Sequence, residues 1–417
     1  MSDNRSHREL LPHLFRQEYA RMTAVLCRHF GLEHIEIAED IASDTFLKAS
    51  EHWALHGVPD NPTAWLYTVA RNKAKDHLRH KKIAQVNAGG RAGTDVVFPG
   101  DDFEINDRII ADSQLAMIFA VCNPVNSPES QICLALQVLC GFSIEEIANA
   151  FLTNRETIKK RLQRARQHLR DNQFSLSALT PDHIQARQDA VLKTIYLLFN
   201  EGYFSRTNRA AIRKDLCSEA IRLALCLTES ELTRTSQVYA LLALMCYQSS
   251  RLEARINSEG ELLLFDEQDK TQWDQQLIDR GNYYLVAATE GNELSKYHLE
   301  AAIAYWHTTD SKEKWSRILE LYNQLVLIEY SPGTALGRAF AMSKVVGKEK
   351  VIAEVEKLRL EDNHNYYALL GYLYAEMDKE KAVRCYENAI ELTMSEAERK
   401  VLIRESERLK NPKTEPL

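Results

Sequence analysis

Two clusters of basic residues in the first 175 positions could hold a phosphate backbone. Residues 71–82 contain six Lys or Arg against one acid, and residues 155–170 contain seven against one. Lys and Arg at this density bind nucleic-acid phosphates through a salt-dependent attraction. The positive charge is local, because residues 1–175 carry a net charge of −1 and residues 176–417 carry −6. The sequence therefore predicts confined nucleic-acid contacts on an acidic protein.

The second cluster has the pattern of a helix-turn-helix. Ser143 and Glu146 have the spacing of a capping box, which predicts a helix from Ile144. After a short break, Asn154 can cap a second helix. The residues expected on the inner face of this helix are Ile158, Leu162, Ala165 and Leu169. The basic residues expected to remain largely free are Arg155, Lys159, Lys160, Arg161, Arg164 and Arg166.

The second helix of such a motif enters the major groove with its N-terminal residues at base edges. Arg155, Glu156 and Lys159 are therefore the expected base readers, and Arg161 and Arg164 are better placed for phosphates. The full predicted DNA-contacting set is Arg155, Glu156, Thr157, Lys159, Lys160, Arg161 and Arg164. A solvated basic face is the alternative interpretation, but caps, break and charge placement together favour DNA binding.

Three motifs in order resemble those of the extracytoplasmic-function sigma factors of bacterial RNA polymerase. The first is Ala38–Ala49, with Glu39-Asp40 and Phe46 in the family's Ala-Glu-Asp-Leu-x-Gln-Glu-x-Phe pattern. The second is the Trp-Leu…Ala-Arg-Asn…Asp…Arg pattern of residues 65–79. The third combines Glu-Ile-Ala at 146–148 with Thr157–Arg166. Ser43 replaces the family's usual Gln, which predicts an altered contact there.

The resemblance implies partners and residue roles. The acidic helix would bind the β′ clamp helices of core RNA polymerase through Asp40, Ser43, Asp44, Phe46 and Leu47. The residues expected to bind the promoter's minus-ten element are Asn61, Arg71, Asn72, Lys73, Lys75 and Arg79. The helix-turn-helix domain would bind the minus-35 element, with the polymerase β flap as a further partner. Trp65 is left out, since a Trp at this spacing is more often core.

The composition predicts an all-α protein of several domains, since Gly and Pro number only 15 and 10 among 417 residues. The expected parts are a sigma helical domain at 8–82, a flexible linker at 83–108, a second sigma domain with the helix-turn-helix at 109–173 and a C-terminal helical domain at 183–410. Ala335-Leu336-Gly337 recurs 34 residues later as Leu369-Leu370-Gly371. This offset is typical of tetratricopeptide repeats, so a tetratricopeptide-like domain is expected, with an unrelated helical bundle as the alternative.

The C-terminal part is similar to that of a sigma-factor subgroup with a tetratricopeptide-like extension. The residues that carry this likeness are 196–203 and 219–224. Gly202 is expected to close a helix, and the alternative is that the preceding Glu201 faces a ligand. The extension would regulate or support activity, with a regulatory protein as a possible partner. Whether it inhibits the protein or is required for its activity is open at this level.

Other functional classes find little support in the sequence. It contains no His-Glu-x-x-His, phosphate loop or Gly-x-Ser-x-Gly, so no catalytic residue, metal site or cofactor is predicted. The eight cysteines form no Cys-x-x-Cys, and packed reduced thiols are favoured over a redox sensor. The polar start and the lack of a long apolar run predict a cytoplasmic protein without membrane contact. The main alternative is a helix-turn-helix regulator, not a sigma factor, with a tetratricopeptide-type sensor or scaffold.

Overall fold

The computed structural model describes residues 3–87, 106–151, 153–171, 180–204, 213–257, 259, 261–291 and 293–411. Within these ranges the chain is helical, and β pairing there is limited to one isolated antiparallel bridge between Ile256 and Leu262. The predicted all-α class is therefore confirmed. The chain divides into two compact units, residues 1–194 and residues 195–417.

The first unit contains seven complete helices and the beginning of an eighth within the described residues. They are α1 (Asp3–Phe30), α2 (Ile35–His56), α3 (Pro62–Asn87), α4 (Asp107–Val121), α5 (Pro128–Leu134), α6 (Ile144–Ala150), α7 (Arg155–Asp171) and α8 (Pro181–Phe204). One π-helical turn, Ala135–Leu139, continues α5. Helices α1 to α3 pack on one another, and α5 to α7 form a second group. Both predicted sigma-type helical groups are thus present.

Helix α4 joins these two groups because its C-terminal half, from Leu115 onward, is apolar on every side. The run Leu115–Val121 is buried throughout, with exposures between 0 and 8%. A helix that is hydrophobic all round must be covered on all its faces. Helix α4 packs against α1 on one side and against the π-helical turn on another. The first unit therefore has a continuous core that includes both helical groups.

The predicted linker overlaps the end of α3, and the predicted start of the C-terminal domain lies within α8. Helix α3 continues to Asn87, so the first five residues of the predicted linker are helical. Residues 88–105 of that linker lie outside the described residues. Helix α8 crosses from one unit to the other, and Thr194 donates a hydrogen bond of 2.7 Å to Gln131 of α5. The N-terminal part of α8 therefore packs with the first unit.

The second unit consists of consecutive helices that contact their sequence neighbours. They are α9 (Lys214–Thr228), α10 (Ser236–Ser249), α11 (Gln275–Ala288), α12 (Lys296–Thr308), α13 (Lys314–Ile328), α14 (Pro332–Val346), α15 (Lys348–Glu356), α16 (His364–Tyr374), α17 (Lys379–Leu392) and α18 (Glu396–Lys410). Each packs against the next. Nearest-neighbour packing of this kind is typical of helical-repeat domains. The C-terminal helical domain is confirmed, and its tetratricopeptide-like character stays an interpretation supported by this packing.

Gly337 and Gly371, which are 34 residues apart, each leave room for a tyrosine ring of a neighbouring helix. A Cβ atom on Gly337 would lie 2.7 Å from the ring of Tyr322, and a Cβ on Gly371 would lie 3.0 Å from the ring of Tyr386. Each glycine therefore lets a tyrosine of a neighbouring helix approach its own helix closely. Both glycines thus allow a close tyrosine contact, which comes from the preceding helix α13 at Gly337 and from the following helix α17 at Gly371.

The mutation Gly371→Ala is expected to destabilise the second unit by about 1–3 kcal/mol, since overpacking forces buried groups to move. The ring of Tyr386 is buried at 6% exposure and has little room to shift. Gly333→Ala is the matched control, because the nearest atom to its new Cβ would be 3.7 Å away. Denaturant unfolding followed by circular dichroism compares the two variants. Equal stability of both would contradict the packing role.

One local prediction about α8 is wrong. Gly202 does not end a helix, since α8 continues to Phe204. A Cβ at Gly202 would lie 2.8 Å from the carbonyl oxygen of Arg213 and 2.9 Å from the sulfur of Cys217. The glycine therefore allows the start of α9 to approach α8. A glycine is required at position 202 because a side chain there would collide with α9. The requirement does not come from the end of α8.

The cysteines agree with the interpretation of packed thiols. All eight are free, and seven of them are buried, whereas Cys385 is half-buried. Burial raises the pKa of several of these thiols, to about 12 for Cys122, Cys217 and Cys246. They are therefore neutral and poorly reactive near pH 7. Among the described helices, none is long and apolar enough to cross a bilayer.

Candidate nucleic-acid and polymerase interfaces

The helix-turn-helix is built by the two predicted caps. At α6, the Ser143 and Glu146 side chains each accept a hydrogen bond from the other's backbone N–H, at 3.2 and 2.8 Å. At α7, Asn154 Oδ1 accepts a bond of 2.7 Å from the backbone N–H of Thr157. Both helix starts are therefore satisfied by local side chains.

Helix α7 divides cleanly into a buried and an exposed face. The four predicted inner residues Ile158, Leu162, Ala165 and Leu169 are all buried, with at most 3% exposure. The exposed residues among the predicted DNA contacts are Arg155, Glu156, Thr157, Lys159, Lys160 and Arg164. These residues are therefore available to a large ligand such as duplex DNA.

Ion pairs along α7 are weak in this arrangement. Arg155 lies 3.7 Å from Glu145 of α6, and Lys160 lies 3.9 Å from Glu156, with all four side chains well exposed. Exposed pairs of this kind contribute at most about 1 kcal/mol. Phosphates can therefore compete for these cations at small cost.

Arg161 differs from its neighbours because it is half-buried. Its guanidinium points toward the sulfur of Cys133 at 3.8 Å. Burial raises the pKa of the Cys133 thiol, although Arg161 opposes this effect. The thiol is therefore uncharged and does not neutralise Arg161. The positive charge of Arg161 remains available at the edge of the α7 surface.

The predicted minus-ten residues lie along α3. Asn61 caps this helix, since its Oδ1 accepts a hydrogen bond of 2.9 Å from the backbone N–H of Ala64. Its amide nitrogen is then the group left for other contacts. Arg71, Asn72 and Arg79 are exposed, whereas Lys73 and Lys75 are half-buried. Arg79 pairs with Asp76 at 3.3 Å.

Trp65, which the prediction left out of the DNA contacts, is half-buried and packs at the edge of the helical core. Its ring meets that of Trp53 edge to face, with centroids 5.5 Å apart, and lies 5.3 Å from the His52 ring. Trp53 itself is almost fully buried at 2%. Trp65 therefore helps attach α3 to α2.

The predicted polymerase-binding residues form a stripe on α2. Asp40, Ser43, Asp44 and Leu47 are all exposed and follow helical spacing along one face. Leu47 is 58% exposed, and Asp44 pairs with Lys73 of α3 at 3.2 Å. An acidic stripe with one exposed leucine is a suitable docking surface.

Phe46 does not share this exposure. It is buried at 5% and meets the ring of Phe15 edge to face at 5.0 Å. The expectation from the motif that Phe46 is a surface contact is therefore wrong. Its role is to hold α2 against α1 so that the neighbouring Leu47 is presented outward.

Arg166 corrects the expectation that the basic side chains of α7 are all free. It is buried at 9%, and its Nη2 donates to both carboxylate oxygens of Glu39 at 2.7 and 2.8 Å. Nη2 also donates to Gln137 at 2.9 Å, and Nη1 lies 3.5 Å from Glu36. Burial raises the pKa of Glu39, and the adjacent Arg166 opposes that shift.

The comparisons with known protein families agree with this arrangement. Residues 14–83 match sigma-70 region 2, and residues 127–169 match sigma-70 region 4. Residues 187–289 match DUF6596, a family of unknown function. The two sigma regions thus cover the α2, α3 and α7 surfaces described above. No solved structure matches the chain significantly.

Individual relatives include an uncharacterised protein and two sigma factors. An uncharacterised protein of Rhizobium meliloti is 30% identical over 385 residues, which cover 89% of each chain. The sigma factor BldN of Streptomyces coelicolor is 29% identical over 130 residues, 31% of this chain and 47% of BldN. The sigma factor CnrH of Cupriavidus metallidurans is 25% identical over 151 residues, 35% of this chain and 78% of CnrH. The chain is a sigma factor that directs transcription initiation, and it belongs to the extracytoplasmic-function sigma factors with an additional C-terminal domain.

Proposed function

We propose that this sigma factor recognises the minus-35 element through the exposed face of α7. The observation that carries the proposal is the row of exposed cations on a capped second helix, with every apolar residue of that helix turned inward. Arg155, Glu156 and Lys159 at its N-terminal end would read base edges. Thr157, Lys160, Arg161 and Arg164 would hold the flanking backbone.

The surface of α3 would bind the minus-ten element. Its exposed Arg71 and Arg79 can hold the backbone of an opened strand, and Lys73 and Lys75 add charge along the same helix. Asn72 and the amide nitrogen of Asn61 can donate hydrogen bonds to an unstacked base. Contacts of these two kinds, to the backbone and to an unstacked base, suit a promoter that must be both bound and opened.

The stripe Asp40, Ser43, Asp44 and Leu47 on α2 would dock on the β′ clamp helices of core polymerase, with the β flap contacting the helix-turn-helix domain. The acidic side chains would orient the sigma factor on the polymerase and speed the association of the two proteins. The exposed leucine would serve as an apolar anchor of the interface. The protein would act by binding alone, and the chemistry of RNA synthesis would belong to the polymerase. A DNA-binding regulator that works apart from polymerase has no need of this stripe.

Reconstituted transcription tests the proposal. Purified chain is added to core polymerase with promoter fragments from the genome, and the RNA starts are mapped. We expect specific starts that depend on the chain. Absence of binding to core polymerase, or of RNA from every promoter tested, would refute the polymerase-dependent role.

Arg155→Ala is expected to relax selectivity at one base pair of the minus-35 element at a cost of about 1–3 kcal/mol in affinity for the preferred site. The physical reason is that an arginine at a helix N-terminus can form paired hydrogen bonds to a guanine edge. Arg164→Ala is the matched control, since it should weaken all sequences equally and lower the salt dependence. Binding to a panel of single-base variants measures both. A uniform loss for Arg155→Ala would reassign it to the backbone.

The C-terminal domain would regulate or support these steps, and deletion distinguishes the two roles. The cut belongs after Thr194, because a cut after Asn172 would also remove the part of α8 that packs with the first unit. Higher transcription after deletion would identify an inhibitory domain. Loss of transcription by a folded truncated chain would identify a required one.

A further inference from the structure

The connection between α10 and α11 is far longer than the packing of these two helices requires. It spans residues 250–274, whereas every other connection from α9 to α18 has seven residues or fewer. The backbone N–H of Asp274 donates a hydrogen bond of 2.8 Å to the carbonyl oxygen of Ser250, so the two ends of the connection meet. Neighbouring helices are usually joined by roughly two to eight residues, and much longer loops are usually functional. The residues between these ends are therefore available for a purpose other than joining α10 to α11.

The middle of this connection is both acidic and apolar. Residues 261–269, which we call the crossing segment, read Glu-Leu-Leu-Leu-Phe-Asp-Glu-Gln-Asp and contain four acids and no base. The backbone N–H of Leu263 donates to the carbonyl of Arg255, and that of Asn257 donates to the carbonyl of Glu261, both at 2.9 Å. The start of the crossing segment therefore folds back on the residues before it, and the part after Leu263 continues across the second unit.

Phe265 is the aromatic anchor of the crossing segment. Its ring meets that of His307, at the end of α12, edge to face at 5.0 Å. The guanidinium of Arg251 and the ammonium of Lys314 lie 5.1 and 5.0 Å from the centroid of the same ring. Cations at this distance from an aromatic face are attracted to it, and more strongly where water is excluded. Lys314 is only 8% exposed, so this attraction is poorly screened.

The acids after Phe265 pair with cations on helices that lie far apart in the series. Asp266 lies 3.5 Å from the ammonium of Lys344 on α14. Glu267 accepts a hydrogen bond of 2.7 Å from Arg404 on α18. Helices α12, α14 and α18 are separated by other helices along the chain. The crossing segment therefore contacts several repeats at once, as an extended ligand of a helical-repeat domain does.

The surface under the crossing segment is basic and aromatic in its own right. The ammonium of Lys344 lies between 5.2 and 5.6 Å from the ring centroids of Trp315, Phe340 and Tyr372. Lys348 lies 4.1 Å from the centroid of the Tyr372 ring. We call the residues that face the crossing segment the basic surface: Arg251, His307, Lys314, Lys344 and Arg404. Its natural complement is a chain segment that carries an aromatic residue beside acids.

The crossing segment fits this surface imperfectly. Three buried polar atoms at the contact have no hydrogen-bond partner within the part of the chain that the structure describes: Gln268 Oε1, Trp273 Nε1 and His307 Nδ1. A buried donor or acceptor without a partner costs free energy. An occupant that supplies hydrogen bonds to these atoms would therefore bind the basic surface better than the crossing segment does.

We propose that the crossing segment is an internal ligand of the basic surface, and that this surface accepts from a partner protein an acidic peptide in which one aromatic residue precedes two acids. Such a peptide reproduces the contacts of Phe265, Asp266 and Glu267 and displaces them. The hydrogen bond between Asp274 and Ser250 closes the connection at its base, so the crossing segment can leave without separating α10 from α11. Peptide binding goes beyond the proposed function and needs neither promoter nor polymerase, and only its regulatory consequence rests on that function.

The first test measures the binding of a peptide to the full chain by fluorescence anisotropy. The probe is a fluorescein-labelled peptide with the sequence of residues 261–269. The tethered internal copy competes at an effective concentration of up to roughly millimolar, so wild type should bind the probe weakly. Phe265→Ala should raise the affinity for the probe at least about tenfold, because it leaves the basic surface open more of the time. The exposed Glu259→Gln is the matched control. Equal affinities of wild type and Phe265→Ala would overturn the proposal.

A second variant keeps the test decisive if Phe265→Ala disturbs the fold. Asp266→Asn combined with Glu267→Gln changes only exposed side chains and should raise the affinity for the probe about fivefold. Adding Lys344→Gln and Arg404→Gln to this chain should lower the affinity for the probe at least about fivefold. A probe with Ala in place of its Phe should bind at least about tenfold more weakly. Undiminished binding in either case would refute the basic surface as the peptide site.

Two further measurements separate this proposal from its alternatives. The Phe265→Ala chain should sediment as the same species as wild type. A dimer that forms by exchange of crossing segments would assign the basic surface to a second copy of the chain and overturn the partner peptide. Transcription is measured on the same preparations. A chain that binds the probe but starts no RNA would refute the proposed function alone, whereas one that starts RNA and never binds the probe would refute the peptide site alone.

Discussion

Leu47→Ala is expected to weaken binding of the chain to core RNA polymerase by about 30-fold, which corresponds to the roughly 2 kcal/mol typical of an interface anchor. Leu47 is 58% exposed and stands beside Asp44 on the acidic stripe of α2. An exposed leucine between acids has little to stabilise in the isolated domain, so the substitution should leave the fold intact. Its apolar surface would instead be covered when polymerase docks.

Leu55→Ala is the matched control for this prediction. Leu55 lies on the same helix and is 81% exposed, but it lies beyond the motif that resembles the polymerase-binding region. Titration of fluorescently labelled chain with core polymerase compares the two variants with wild type. If both substitutions weaken binding equally, or if neither does, Leu47 is not an anchor of this interface.

The second unit is expected to lose stability as the pH rises from about 4.5 to 7, through the titration of Glu300 of α12. Tyr196 of α8 donates a hydrogen bond of 3.2 Å to this carboxyl group. Burial raises the pKa of Glu300 to about 7, and the Tyr196 hydroxyl and Lys296 oppose the shift. The folded unit therefore keeps a proton that the unfolded chain, with an ordinary glutamate pKa near 4.5, has already released.

The sign of the effect follows from proton linkage. Between about pH 4.5 and 7 the folded state binds more protons than the unfolded state, so the free energy of unfolding decreases with rising pH. The difference can reach about 3 kcal/mol over this interval. Glu300→Gln should flatten the dependence, because an amide accepts the tyrosine hydrogen bond without titrating. The exposed Glu349→Gln is the control, and thermal unfolding across the pH range is the measurement. An unchanged pH slope in Glu300→Gln would assign the dependence to another group.

The helix-turn-helix could be predicted from the sequence in considerable detail. Both caps, the inward positions and the exposure of the N-terminal end of α7 agree with the structure. These features depend on residues within four positions of one another, where helical geometry leaves few alternatives.

The sequence was less informative wherever a side chain meets a distant segment. The motif alone did not distinguish Phe46 from Leu47, because only packing against Phe15 of α1 buries the first and leaves the second exposed. Gly202 has the local signature of a helix end, yet it serves a close approach of α9. In each case the deciding neighbour lies on another helix, and the local pattern does not specify where that helix packs.

The sequence by itself determined the order of the sigma regions, the helical class and the basic surface of α7. These features depend on the local spacing and charge of residues. Only the tertiary structure decided that Arg166, one of seven basic residues in that segment, turns away from the exposed face of α7 toward Glu39, 127 positions earlier. The physical reason is that a buried ion pair requires two elements to be packed together, and no periodicity along the chain encodes that meeting.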